Sequence, residues 1–360
     1  MKILAIETSC DETAAGVVED GVRVLSTVVA SSVAMHEKYG GIVPEVVARE
    51  QLRCVIPVIT EALKHAHADY ASIDSLAVTI GPGLIGSLLV GVETAKTIAF
   101  VTHKPIIPVN HVIAHMYANF IRSSEKNSSR AKSRDYIHFP AISLVVSGGH
   151  TELYLMTSPK NILWLGGTLD DAAGEAFDKT ARILGFGSRG GVAIQEAAFK
   201  SKTPASPAGR QNPNDKFQIK LPRPMIHDKS LNFSFSGLKT AIIREWKRYP
   251  QHNEPLVNSF AHEVQEAITD VLVTKTLRAA HQYRVKSVLL SGGVAANLRL
   301  REKFQQSIAH SQLPTNFFVP PVSLCTDNAV SIASNAYFNG KPAHWRTITA
   351  IPNLDVEQGI

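Results

Sequence analysis

Cysteine is scarce in this chain. Its three copies, Cys10, Cys54 and Cys325, lie far apart with no C-x-x-C pair among them. That spacing argues against a disulfide framework and for a reducing, cytosol-like compartment. Low-complexity blocks are absent too, and no apolar run reads as long enough to span a bilayer. The chain opens with "MKILAIE", already a plausible buried strand, so no signal or transit peptide is expected. Charge of one sign is not abundant: a formal net charge of +6 permits a polyanionic partner without requiring one.

What is present is the composition of an ordinary soluble protein, 44% hydrophobic and 19% charged over 360 residues. That length suggests two or three lobes, each able to bury a core. Residues 2–7 read as a strand, followed by the polar turn "TSCDET" and two further strands, "AAGVV" and "VRVLSTVVAS". Apolar positions at helical spacing run from about 44 to 67, with Pro57 expected to kink or divide the helix. "SLAVTIGPG" is a strand entering a Gly-Pro-Gly turn, "SLLVGVETAKTIAFVTH" a helix leaving it, and "PIIPVN" a short strand.

The second half repeats this layout. "AISLVVSGGHTELYLM" is strand, small polar turn, strand, and "SVLLSGGVAANLRLREKF" is strand, glycine turn, helix. The spacings do not match, so a duplication is inferred from pattern and interrupted by insertions. The expected organisation is a two-lobed α/β fold with a cleft between the lobes. Its parts are an N-terminal lobe over 1–122, an exposed basic linker over 123–138, a C-terminal lobe with a nucleotide pocket over 139–329, and a helix and tail over 330–360 packing back on the N-terminal lobe. Each glycine turn at a strand exit is by itself only a tight turn. Three of them favour a nucleotide or acyl-phosphate site, because backbone N–H groups and helix N-termini suit anionic oxygens.

"NHVIAHMYANF" places His111 and His115 four residues apart on one helix face. Zinc proteases use this spacing in H-E-x-x-H, where the Glu is the general base, but here that position is Val112. With 14 histidines in the chain, roughly half of one such pair arises by chance, so a helix cap and a polar core residue remain an open reading. A metal needs a third ligand. Asp327, just before a helical run, could be one, or could be that helix's N-cap. Asp170, Asp171, Glu175 and Asp178 form an acidic segment. Asp171, Glu175 and Asp178 are expected on one helical face, with Lys179 and Arg182 balancing their charge. Basic loops around 122–134 and 200–223 could contact RNA phosphates or simply be solvated.

Taken together and in order, "IETSCDET", "YGGIVPEVVAR", "GPGLIGSLLVG", "NHVIAH", "LVVSGGHTEL", "DDAAGEAFDK", "NFSFSGLKT", "LSGGVAANLRLR" and "CTDNAVSIA" resemble the tRNA N6-adenosine threonylcarbamoyltransferase family, TsaD in bacteria, formerly labelled O-sialoglycoprotein endopeptidase. The resemblance covers nearly the whole chain. It implies an actin-like, sugar-kinase-like ATPase fold (the ASKHA superfamily). The implied reaction is transfer of threonylcarbamoyl from threonylcarbamoyl-AMP to N6 of adenosine 37 in tRNAs reading ANN codons, releasing AMP. The metal ligands it implies are His111, His115 and Asp327, holding one divalent ion, Fe²⁺ first and Zn²⁺ as the alternative; Mg²⁺ could accompany a bound nucleotide. Substrate-binding positions fall on Val145, Val146, Ser147, Gly148, Gly149, Asp178, Gly191 and Asn297. Asp11 and Glu12 are the carboxylates placed near the acyl group, with Asp11 the candidate for accepting the N6 proton. Expected partners are tRNA, and either a TsaB-like paralogue with a TsaE-like small ATPase in the bacterial manner or a second copy in the mitochondrial manner. No membrane association and a cytoplasmic location are expected.

This chain departs from the family pattern in two places. Ser188-Arg189-Gly190-Gly191 stands where relatives usually have Tyr-Pro-Gly-Gly, and Gln195 stands at a position that is often acidic. A metalloprotease, a sugar-kinase-like ATPase and a non-catalytic tRNA-binding scaffold are the rival readings, the first weakened by Val112.

Overall fold

Lys2–Glu7 (β1) pairs antiparallel with Glu12–Glu19 (β2), which pairs antiparallel with Arg23–Ser31 (β3). The hydroxyl- and carboxylate-loaded segment of the sequence is thus the turn of a hairpin. Ser75–Gly81 (β4) joins β1 in parallel and Ile106–Asn110 (β5) joins β4 in parallel, giving the order β3-β2-β1-β4-β5. In this computed structural model, residues 1–32, 43–122, 136–187, 190–202, 217, 219–311 and 314–355 are described.

Successive side chains of a strand point to opposite faces, and in β1 both faces are covered, which explains its unbroken apolar run. Leu4 and Ile6 pack with Val55 and Ile59 of helix α1 (Pro44–His65) and with Val92 and Ala95 of helix α2 (Ile85–Thr102). Ile3 and Ala5 pack with Ala114 of helix α3 (His111–Tyr117) and with Val330 and Ala333 of a late helix, Ala329–Asn339, which we number α9 below.

Of the two outcomes expected of Pro57, division does not occur: α1 runs for 22 residues through it. The core contacts of Val55, Val58 and Ile59 on either side of the proline offset the lost backbone hydrogen bond. One helix, α2, is long and apolar enough to cross a membrane by length and composition. Its Leu88, Val92, Ala95 and Ala99 are buried within the protein, while Leu89, Phe100 and Val101 are exposed.

A second sheet comprises Ala141–Val146 (β6), Thr151–Ser158 (β7), Asn161–Gly167 (β8), Ser287–Ser291 (β9) and Asn316–Phe318 (β10), in the order β10-β9-β6-β7-β8. β9 runs parallel to both β6 and β10. Counted from its first strand, each sheet reads third, second, first, fourth, fifth, the same order. Between these strands lie α4 (Ala173–Ile183), α5 (Gly190–Lys202), α6 (Ser236–Trp246), α7 (Glu254–Gln282) and α8 (Leu298–His310). The chain divides into two compact units, Met1–His138 with Met156–Ile162 and Pro320–Ile360, and Phe139–Leu155 with Leu163–Val319. The return to the first unit comes at Pro320, ahead of the 329/330 boundary read from the sequence, so Asp327 lies in the unit that carries the histidines.

The acidic segment is arranged differently from its expected single face. α4 starts only at Ala173, so Asp170 and Asp171 precede the helix. Lys179 pairs with Asp171 (2.6 Å) and Glu175 (2.8 Å). Asp170 accepts hydrogen bonds from the Ser234 hydroxyl, the Phe235 N–H, and both the N–H and hydroxyl of Ser236, and so ties down the start of α6. The strand-like run before that helix contributes one bridge, Thr168 to Phe233. The basic loops lie largely outside the described residues.

Gly174 in α4 packs closely against the backbone that follows β6. A Cβ there would stand 2.5 Å from the Ser147 carbonyl oxygen and 2.8 Å from the Gly148 Cα. Both are backbone atoms, which cannot step aside as a side chain would. Gly174→Ala is expected to destabilise the protein by about 1–3 kcal/mol, read as a lower urea midpoint with unchanged slope.

Candidate functional site

The carboxyl ends of the parallel strands β1, β4 and β5 bring the first group of polar residues together. β1 ends on Glu7, β4 carries Thr79, and β5 ends on Asn110. The Asn110 side-chain oxygen caps α3 by accepting from the N–H groups of Val112 (2.9 Å) and Ile113 (3.2 Å). That cap starts the helix at His111 and puts the two histidine rings one turn apart, centroids 4.7 Å from each other. Val112 faces the other way and is fully buried, so the place of a protease base is filled by core.

Asp327 completes the cluster. The alternative reading gave it the N-cap of the following helix, but Asn328 fills that position, accepting from Ser331 N–H at 3.0 Å. The Asp327 carboxylate stands 3.5 Å from His111 Nε2 and 3.5 Å from His115 Nε2. The three donor atoms lie within 4.8 Å of one another, the one such group found among the described residues. Ligands sharing an ion at bonds of about 2.1 Å stand roughly 3–3.5 Å apart. Two imidazoles and a carboxylate at these separations therefore fit a divalent cation with small contraction.

The surrounding residues were not legible as site residues. Glu7 is 1% exposed and accepts from the Ser9 N–H (2.5 Å), the Thr79 hydroxyl (2.5 Å) and His111 Nδ1 (3.2 Å). Ser9 Oγ also lies 3.1 Å from that nitrogen. Gln51 of α1 donates to the carbonyls of Cys10 (2.8 Å) and Glu12 (3.0 Å), clamping the polar turn. The only sequence signal for Glu7 is an acid ending an otherwise apolar strand.

Burial pushes the Glu7 carboxyl up, but the His111 charge and the hydrogen bonds from His111, Ser9 and Thr79 outweigh it and hold it at about 2. Burial also works against a charged His111, yet Asp327 and Glu7 raise it to about 9. Asp327 is raised to about 6 by burial, with His111 opposing and Glu7 and Asp11 adding. Glu12, the first residue of β2, is raised to about 7 by burial, its Ser31 hydrogen bond (2.9 Å) opposing and Asp11 and Asp327 adding. A carboxylate poised near neutrality is suited to proton transfer. Asp11 precedes it in the same turn, its carbonyl held by Ser32 N–H (3.1 Å).

The remaining candidates belong to the second unit. Val145 and Val146 end β6 and are fully buried, so only their backbone can serve a ligand. In the turn that follows, Ser147 N–H donates to the His150 carbonyl (2.8 Å) and His150 N–H to Ser147 Oγ (3.2 Å). Gly148 and Gly149 are exposed, and a Cβ on either would meet nothing within 4 Å. Gly191 is equally open, and its N–H is bonded to Asp178, whose carboxyl is raised by burial against the opposing pull of Arg182 and this bond. Asn297 caps α8 through Leu300 N–H (3.0 Å) and donates to Gln265 (3.0 Å). Gln195 accepts from Leu298 N–H at 2.7 Å, so this departure from the family pattern serves as a second cap on α8. Ser188 and Arg189 lie outside the described residues.

The three glycine turns are therefore unlike. A Cβ at Gly83 would stand 2.4 Å from the Ser9 carbonyl oxygen, and one at Gly292 (φ +89°) 2.3 Å from that of Val146. Those glycines allow close backbone packing, whereas Gly148 and Gly149 have open space at their Cβ positions.

Two sheets of one repeated strand order, the first with a His-His-carboxylate cluster at its strand ends, define a two-unit α/β protein carrying a candidate metal site. A crystal structure of HypF from T. kodakarensis shares the fold, with a TM-score of 0.54 at 14% identity over 93% of this chain and 47% of that one. The sequence model described as "TsaD: tRNA N6-adenosine threonylcarbamoyltransferase" matches residues 23–334, and the chain belongs to that family. It is 46% identical to the tRNA N6-adenosine threonylcarbamoyltransferase of Syntrophomonas wolfei over 94% of this chain and 92% of that protein. It is 45% identical to that of Persephonella marina over 94% and 90%.

Two outcomes are expected. His115→Ala and Asp327→Ala each abolish stoichiometric metal by elemental mass spectrometry; retained metal in either overturns the three-ligand site. The second concerns pH. Because folding raises the Glu12 carboxyl from 4.5 to about 7, the folded state holds that proton more tightly than the unfolded chain. Its stabilising contribution is full below about pH 4.5 and lost as pH rises through about 7. In chelated protein, Glu12→Gln should flatten the fall in melting temperature across that window relative to the parent.

Proposed function

We propose that this chain transfers the threonylcarbamoyl group from threonylcarbamoyl-AMP to N6 of adenosine 37 in tRNAs reading ANN codons, in the cytoplasm. The observation that carries the reading is the near full-length kinship with proteins of that name, joined to a partly buried His-His-Asp cluster whose helix carries Val112, not a glutamate, after its first histidine. The competing side reaction is hydrolysis of the activated acyl group, and a glutamate at position 112 would promote it. Val112 removes that base.

The residues then divide the work. The N–H groups of Gly148 and Gly149, beside Ser147 and the backbone of Val145 and Val146, hold the adenylate phosphate and favour the charge on departing AMP. Asp178 orients the Gly191 backbone, and Asn297 keeps the start of α8 in place beneath the nucleotide. Adenosine N6 attacks the carbamoyl carbon, the bond from that carbon to the phosphate oxygen breaks, and the N6 proton passes to a carboxylate. Asp11 is the acceptor we assign, and Glu12, near neutrality, is the group to which the proton can be handed on. When bound by His111, His115 and Asp327, a divalent ion, Fe²⁺ or alternatively Zn²⁺, supplies Lewis acidity and fixed positive charge there. Mg²⁺ could accompany the nucleotide.

The tRNA is the macromolecular substrate. A protein partner is supported by a groove of about 520 Å³ between α1 and α2, where Leu52, Ile56 and Leu89 are exposed. A TsaB-like paralogue with a TsaE-like ATPase, or a second copy, would cover it.

The test is mass spectrometry of nucleosides from tRNA incubated with this protein, threonine, bicarbonate, ATP and an adenylate-forming enzyme, with partner proteins added. Threonylcarbamoyladenosine is expected with the parent and lost at least about 100-fold in His111→Ala. Its absence with the parent, or metal-dependent casein cleavage blocked by EDTA, would sink the assignment.

A further inference from the structure

The buried carboxylate of Glu7 touches neither Asp327 nor His115, and no part of the transfer chemistry above uses it. We propose that Glu7, held by Thr79, is a positioning residue that fixes which nitrogen of His111 is offered as a ligand, and thereby sets the affinity of the centre for its metal. The inference rests on the metal-site part of the proposed function and is independent of the transfer reaction.

The Ser9 backbone N–H points at one Glu7 oxygen at 2.5 Å, and a backbone N–H can only donate. The Thr79 hydroxyl donates to the other oxygen, also at 2.5 Å. Both oxygens are thus acceptors, as an ionised carboxylate requires, in a place with almost no access to water. The same Oε2 stands 3.2 Å from His111 Nδ1. A carboxylate can only accept, so it keeps a proton on Nδ1, with Ser9 Oγ 3.1 Å from the same nitrogen, and leaves Nε2 as the nitrogen that gives up its proton to a metal. Nε2 is the atom facing Asp327 at 3.5 Å. Burial of a carboxylate is expensive and adds little net stability even when paired, so a role in folding alone does not account for it. An outer carboxylate that fixes the tautomer and ring orientation of a ligating histidine does.

Glu7→Gln keeps the shape and inverts one bond. If the amide oxygen faces Ser9, its NH2 points at Thr79 and His111 Nδ1; if the amide is flipped, NH2 meets the Ser9 N–H. Either way two donors oppose each other, and the first arrangement favours the wrong histidine tautomer. Thr79→Val removes the support without touching a ligand.

The experiment loads chelated protein with Zn²⁺ and measures its dissociation constant against a chromophoric chelator, with melting temperature recorded alongside. Glu7→Gln is expected to weaken Zn²⁺ binding about 10–100-fold, and Thr79→Val by less. The double variant should fall short of the sum, because both act through one hydrogen bond chain. In the Zn²⁺-loaded parent, ¹⁵N NMR should place the His111 proton on Nδ1. Unchanged affinity in a folded Glu7→Gln, a lowered melting temperature with unchanged affinity, or a proton on Nε2 overturns the proposal. Should Glu7→Gln fail to fold, Thr79→Val decides alone: weakened Zn²⁺ binding supports the proposal and parental affinity refutes it. Failure of the transferase assignment would leave all of these readings intact.

Discussion

A buried negative charge has to be matched on every side, and that constraint organises the first unit. Glu7 sits at the end of a central strand with water excluded. Its partners come from three places: the turn after β1, the neighbouring strand β4, and the helix that follows β5. Each partner is correctly placed only if β1, β4 and β5 lie in their parallel register. An apolar core alone would tolerate small slips of helix and strand, but an unmatched carboxylate at that depth would cost several kcal/mol. The polar cluster therefore adds geometric definition that the core does not supply, and the histidines inherit it.

The two sheets share a strand order but put their first turns to opposite uses. In the first unit the turn after β1 is crowded with clamps: Gln51 on its carbonyls, Ser32 on Asp11, and Gly83 packed against Ser9. In the second, the turn after β6 closes on itself through Ser147 and His150 and leaves two glycines open. One holds side-chain carboxylates and imidazoles in place, and the other presents bare backbone. A centre for a cation needs the first, and an oxyanion site needs the second.

Much of the architecture was legible because local rules and tertiary demands agree. β1, β4 and β6 read as strands since both faces are buried, and the histidine helix followed from a short strand ending in Asn110. The misreadings came where long-range packing overrode a local rule. Pro57 leaves α1 undivided because core residues flank it, and Asp171 falls outside α4, where Lys179 rather than a helical face gathers it with Glu175. α2 reads as a helix in the sequence, but Glu93 and Lys96 interrupt its apolar run, so the span length does not show there.

The sequence by itself determined the alternation of elements, the repeated layout, the pairing of His111 with His115, and the missing base at position 112. These are properties of spacing along one chain. Tertiary structure decided which of several acids meets the histidines. Asp327 lies more than 200 residues beyond them, and only the packing of α9 on β1 and β2 brings it near. It also decided that Asn328 and not Asp327 caps that helix, that Glu12 titrates near neutrality, and that an acid at the end of an apolar strand faces a histidine ring. Proximity between distant residues and loss of solvent carry no signature in local pattern, because both are made by the fold as a whole.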